Sequence, residues 1–494
     1  MTDPRAEHAG QAADQPDVSG ALRALQDGDL ALASVCVERL YTSNQDPEGT
    51  SKALGELARR AADLDHPSLA ARWLELAIGL RADDPSLWMQ LISFYRRAKN
   101  PSLLRRVSEQ FLERFPGNVL AHTNYGEVLR EAGSFNEAAR ILGRAVARFP
   151  GHSLVHHAFV STLRATGRLE EASAACDQAL TRFPDDEVMW TARARLWKAL
   201  GELERALATF EQCIARWPDK PWLRTWRAEM LMLLGRLPEA LQAYEETVRL
   251  APHNLLARTG IARVLAVQGD VDRALATADA TCRRFRGATA TRAWVLSVAR
   301  RHAEARDVLS ELRRVAPADE HLRTSLGLVH QRLGELERAE ALLKDKRSPC
   351  SGRSWFRFLA LGLVRLEAGA VDRAAVVFDT GTASCPWPRQ RYRFGLARSL
   401  AHLVSGHPDA AIALLDGLPG SDEAVLVASR HALQRHAAIV AGRTTEDAPS
   451  AKSAGVRYPV HVDLESELTA AASSTASRAV SAAAIAAHAE LLTL

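Results

Sequence analysis

The sequence predicts an all-α solenoid of stacked helical hairpins, and three ladders of residues predict it. Pro116, Pro150, Pro184, Pro218 and Pro252 fall 34 residues apart. Gly133, Gly167, Gly201, Gly235 and Gly269 keep that spacing, as do Ala138, Ala172, Ala206, Ala240 and Ala274. With proline near 5% of ordinary usage, four further prolines in register by chance have a probability of about 10⁻⁵. A fixed period of this length marks a chain of supersecondary units, each too small to bury its apolar face alone.

The unit from Val119 to His152 shows how each rung is built. His122, Tyr125, Gly126 and Leu129 form the i, i+3, i+4, i+7 stripe of a first helix. Gly133 ends it, because a helix stop favours a residue that accepts positive φ. Ala138, Leu142 and Ala145 share one face of a second helix. Pro150 then blocks continuation. The small residues belong where two helices cross, since larger ones would spread the axes beyond 8–10 Å.

Taken outward, the register gives units starting near Ser51, Pro85, Val119, Ser153, Glu187, Pro221 and Leu255, with a partial first unit at Gly28, Ala33 and Leu40. The stretch from Gly287 to Pro317 is about three residues short, in its first helix. Register returns at Arg323, Gly327, Gly334 and Ala339, then at Phe358, Gly362, Gly369, Ala374, Phe378 and Pro386. A weaker unit carries Gly406, Ala411 and Leu415. Residues 1–17 are expected to be disordered, 18–286 to form a regular array, 287–420 a more degenerate one and 421–442 a capping helix. Residues 443–494, a polar linker and an Ala/Ser-rich tail, are expected to be disordered or weakly helical.

These units resemble the tetratricopeptide repeat family. The unit from Glu187 matches its pattern with Trp190, Ala194, Trp197, Gly201, Ala206, Phe210 and Pro218. The next matches with Ala228, Leu231, Gly235, Ala240, Tyr244 and Pro252. The resemblance covers roughly residues 18–420. It implies a right-handed superhelix whose first helices line a concave face, and a non-enzymatic scaffold or adaptor that binds a protein.

Composition fits that expectation. Hydrophobic residues are 47% and charged residues 25% of the 494, and the net charge is only +4, which does not argue for general nucleic-acid binding. The six cysteines show no metal-ligand spacing and are expected to be reduced core thiols. The polar N-terminus has no signal-peptide core, and no run of 18 apolar residues occurs. A cytoplasmic, bacterial-style protein is expected. No phosphate loop, metalloprotease or serine-hydrolase motif is present, so neither an enzyme nor a cofactor or metal is expected. His122 and His156 occupy the family's tryptophan slot and are read as packing residues.

The concave-face positions of the family fall on Arg59, Arg96, Arg97, Glu127, Arg130, His157, Arg164, Arg195, Lys198 and Arg263. Recurrent arginine suits bidentate contacts to carboxylates, so the expected partner is an acidic peptide or protein. The candidate groove comprises Arg96, Arg97, Arg130, His157, Arg164, Arg195, Lys198 and Trp222. The family's carboxylate clamp is not matched, since its first Asn position carries Arg59, Ser93, Glu127, Ser161, Arg195 and Glu229. Arg193 and Arg227 stand in a leucine slot and Arg224 in the tryptophan slot, beside Trp190, Trp197, Trp217, Trp222 and Trp226. Trp190, Arg193, Arg224, Trp226 and Arg227 are therefore candidates either for a binding hot spot or for internal cation–π and Glu-paired packing, with Glu229 as one such partner. A competing expectation is a non-catalytic subunit of an enzyme system, such as a glycosyltransferase or polysaccharide-export assembly.

Overall fold

The computed structural model describes residues 16–43, 46–344, 355–421 and 423–442. The expectations for the N-terminal 15 residues and for 443–494 lie outside them. The chain divides into two compact units, residues 1–162 and 163–494. The boundary anticipated at 286/287 falls inside the second unit. Among the described residues there are 25 α-helices.

The first unit contains α1 (Pro16–Gln26), α2 (Leu30–Ser43), α3 (Pro47–Asp63), α4 (Pro67–Leu80), α5 (Pro85–Arg97), α6 (Pro101–Arg114), α7 (Val119–Glu131) and α8 (Phe135–Arg148). Helix α9 (Ser153–Thr166) holds the division between the units. Odd-numbered helices open each hairpin and even-numbered ones close it. At the α7–α8 turn, Gly133 has φ +80°, its N–H donates to the Arg130 carbonyl, and the Ser134 N–H donates to the Leu129 carbonyl. This doubly bonded stop requires the left-handed conformation at its centre. Asp65, Lys99 and Arg300 adopt that conformation without being glycine. A Cβ on Gly126 would stand 2.6 Å from Leu142 Cγ, which is why the crossing point of that hairpin is bare.

Entry into the first helices is also set locally. The side chains of Asp84, Asn118, Asp186, Asn254 and Asp319 accept backbone N–H groups from the helical turn that follows each. Four of these caps lie two residues after a ladder proline or its later equivalent, at Pro116, Pro184, Pro252 and Pro317.

The second unit continues with α10 (Leu169–Arg182), α11 (Glu187–Leu200), α12 (Leu203–Arg216), α13 (Pro221–Leu233), α14 (Leu237–Leu250), α15 (Leu255–Val267) and α16 (Val271–Arg284). A 3₁₀ turn at Arg286–Ala288 precedes α17 (Thr289–Val298), which has 10 residues where α15 has 13. Then come α18 (His302–Val315), α19 (Glu320–Arg332), α20 (Leu336–Leu343), α21 (Trp355–Glu367), α22 (Val371–Ser384), α23 (Pro388–Val404), α24 (Pro408–Asp416) and α25 (Ala424–Val440). Helix α25, in the anticipated capping segment, packs on α23 and α24. Within this unit α23 also touches α11, six hairpins earlier. One apolar cluster runs from Ala194, Leu203 and Phe210 through Met230 and Tyr244 to Phe378, Phe394, Leu400 and Leu433.

Candidate interaction surface

The tryptophan slot is a hydrogen-bonding position as much as a packing one. The indole N–H groups of Trp88 and Trp190 donate to the carbonyls of Ala82 and Pro184, at 3.0 and 2.8 Å. Arg224 and Arg258 donate to Pro218 and Pro252, at 2.6 and 2.9 Å. The Nε2 atoms of His122 and His156 lie 2.9 and 3.2 Å from the carbonyls of Pro116 and Pro150. A carbonyl only accepts, so the proton of each ring belongs on Nε2. In all six units the acceptor lies six residues earlier, at the end of the preceding hairpin. The slot demands an N–H donor of sufficient reach, and Trp, His and Arg all meet that demand.

In the first unit the cations at the expected groove positions, Arg130 excepted, find partners nearby. Arg59 pairs with Glu56 in the same turn. Arg96 lies 3.2 Å from Glu131 and 3.9 Å from Glu127, both on the next first helix. Arg97 donates to the Ala62 carbonyl at the end of α3. His157 lies 3.3 Å from the Ser161 hydroxyl. Arg130 is half-buried and has no ion-pair partner among the described residues. Exposed pairs of this kind contribute about 0.2–1 kcal/mol each.

In the second unit the corresponding cations turn inward. Lys198 Nζ is 2.6 Å from Glu229, and both side chains are about three-quarters buried. Burial lowers the Lys198 pKa, Arg389 and Arg263 lower it further, and Glu229 opposes them. Arg195 and Lys198 lie over the Trp226 ring at 5.3 and 5.5 Å, and Trp226 stacks on Phe210. Arg263 lies 5.5 Å over Trp294. Arg193 pairs with Asp177 and lies 4.5 Å over Trp197, whose ring also meets Arg205 at 4.8 Å. Arg227 pairs with Glu211 at 3.0 Å. Both leucine-slot arginines thus reach an acid on the preceding second helix, 16 residues earlier. Glu229, anticipated as a partner for these arginines, pairs with Lys198 instead. Trp222 is half-buried against the main apolar cluster.

Several residues at this face were not singled out from sequence. The Trp387 indole donates to the Arg164 carbonyl at 3.2 Å. Pro386 sits against Gly167, where an added Cβ would stand 1.9 Å from Pro386 Cβ. Arg389 and Arg393 of α23 both pair with Glu423, which is 3% exposed. Burial raises the Glu423 pKa, but the two guanidinium groups outweigh it and hold the carboxyl at about 2. Pro386 and Pro388 flanking Trp387 were the available signal, since the pair breaks the repeat pattern.

No group of His, Cys, Asp or Glu suited to a metal occurs among the described residues. No described helix is long and apolar enough to cross a membrane. The described cysteines are free thiols, and burial pushes Cys176 and Cys213 up to about 11.

Two family models described as tetratricopeptide repeat match this chain, one over residues 129–196 and the other over 104–153, 191–254, 227–289 and 291–349. No curated protein matches it. Similar solved structures include the APC/C hetero-tetramer Cut9–Hcn1, 12% identical, covering 87% of this chain and 98% of that one, with a TM-score of 0.38. Yeast Tom70 is 13% identical over 74% of this chain and 96% of its own, with a TM-score of 0.41. A repeat protein from Parabacteroides merdae is 18% identical over 54% and 93%, with a TM-score of 0.33.

Proposed function

The chain belongs to the tetratricopeptide repeat family, and from that premise we propose a non-catalytic scaffold that holds an acidic segment of a partner protein against its first helices. One observation carries this reading. Arg96 and Arg130 occupy the same register position on consecutive first helices of the first unit, α5 and α7. A preformed cationic stripe lowers the ordering cost of binding an extended anionic chain. Arg130, without an ionic partner among the described residues, is the position best placed to take a carboxylate, and Arg96 beside its two glutamates is the next.

The test compares the full-length chain with the Arg96→Glu/Arg130→Glu double variant in affinity purification followed by mass spectrometry. The reading expects a partner with an acidic segment, recovered by the parent and lost with the variant. Circular dichroism should show unchanged helicity. Equal recovery by both proteins overturns the reading.

A further inference from the structure

We propose that the second unit carries an anchor pocket for one bulky apolar side chain of an acidic partner segment, set beside the shortened helix α17. The proposal rests on the scaffold reading above and adds what its partner must carry.

Helix α17 has 10 residues, and the first helices before it, α11, α13 and α15, have 14, 13 and 13. The deficit is just under one helical turn of 3.6 residues. A cavity of about 100 Å³ opens on this part of the unit, between α17, α18, α19 and α21. Trp294, Leu309, Val329 and Phe356 give it apolar walls, and Ser325 and Arg332 add polar groups. An engineered apolar cavity of about 150 Å³ admits benzene, so this one has room for a leucine-sized group. Apolar lining with few placed polar groups is the usual composition of a binding pocket.

Charge says what accompanies the apolar group. Arg332, which donates to the Ser297 hydroxyl at 2.6 Å, lines one side. The wall residue Trp294 carries the Arg263 guanidinium 5.5 Å from its ring centre. No acidic side chain lines the cavity among the described residues. An apolar side chain flanked by carboxylates complements this surface, and one flanked by lysines does not.

The experiment measures fluorescence anisotropy of labelled acidic peptides, with a central leucine or a central alanine, on the full-length chain. The leucine peptide should bind roughly 10- to 60-fold tighter, from partial to full burial of its three added carbons. Ser325→Leu, which fills the cavity, should reduce the ratio to about one and leave the alanine peptide unchanged. Ala290→Leu at the exposed edge repeats the test should that variant fail to fold. Arg332→Gln should weaken both peptides two- to fivefold with the ratio kept. Equal affinity for the two peptides, or a ratio that survives filling, overturns the proposal. Binding of dodecanoate in the absence of any peptide binding assigns the cavity to a free amphipathic acid and also overturns it. If a neutral leucine peptide shows the Ser325-dependent preference and acidic peptides do not bind, the apolar anchor stands and the acidic-partner reading falls.

Discussion

The same register position does different work in the two units. Arg96 in the first unit shares two glutamates of the neighbouring hairpin at a half-exposed surface, and Arg130 pairs with none among the described residues. Lys198 in the second unit is tucked against Glu229 and the Trp226 ring. The difference comes from what lies opposite. Helix α23 packs on α11 and brings Arg389 and Trp387 to the face that carries Lys198. A cation open to water keeps its solvation and its capacity for a ligand. One enclosed by the chain itself must find an internal carboxylate or π-face. A recurrent arginine in a repeat protein is therefore evidence for a binding stripe only after the opposite side of its groove is known.

The largest expected effect sharpens this contrast at Glu423. Glu423→Ala leaves Arg389 and Arg393 without their carboxylate in a dry site and should cost about 3–5 kcal/mol in chemical denaturation. Glu131→Ala, its counterpart against Arg96, should cost less than about 1 kcal/mol. The Glu423 contribution also has a pH signature. Its folded-state pKa of about 2 lies below the ordinary 4.5, so its stabilisation is complete above pH 4.5 and fades as pH falls towards 2. Glu423→Gln should flatten that part of the stability curve. A parent curve as flat as the variant's would break the account.

A middle-sized effect separates turn strain from docking. Gly167 and Gly269 both have positive φ, +76° and +85°, but only Gly167 faces Pro386, and nothing lies within 4 Å of a Cβ at Gly269. Gly269→Ala should cost about 1 kcal/mol for the left-handed backbone alone. Gly167→Ala should cost about 1–3 kcal/mol more, because Pro386 must move. Equal thermal shifts would mean that Pro386 docking contributes nothing.

The smallest effect concerns turns that break the glycine ladder. Lys99 and Arg300 hold φ +53° and +60° where most other units place glycine. Replacing either by glycine should stabilise the chain by about 0.5–1 kcal/mol, after the added freedom of the unfolded chain is subtracted. Thermal melts check this, and a loss of stability contradicts it.

Hairpin boundaries were legible because each is specified within a few residues: a proline, a glycine at the stop and a small residue at the crossing. The three-residue deficit after Gly287 was legible for the same reason, and it appears as the short α17. Arg224 looked like a departure from the pattern because residue type was read in place of chemistry. It supplies the same N–H as Trp190, to the same carbonyl position. The self-contact of the second unit was not legible. Its hydrogen bond from Trp387 to Arg164 spans 223 residues, and no local pattern encodes a meeting of that range.

Hydrogen exchange of the full-length chain against Trp387→Ala tests the central claim most directly. The account predicts faster exchange in the α9 C-terminus and α11 as well as around residue 387, with α3 to α7 unchanged. A change confined to the neighbourhood of residue 387 would contradict it and leave the Lys198 face of the second unit as open as the Arg130 face of the first.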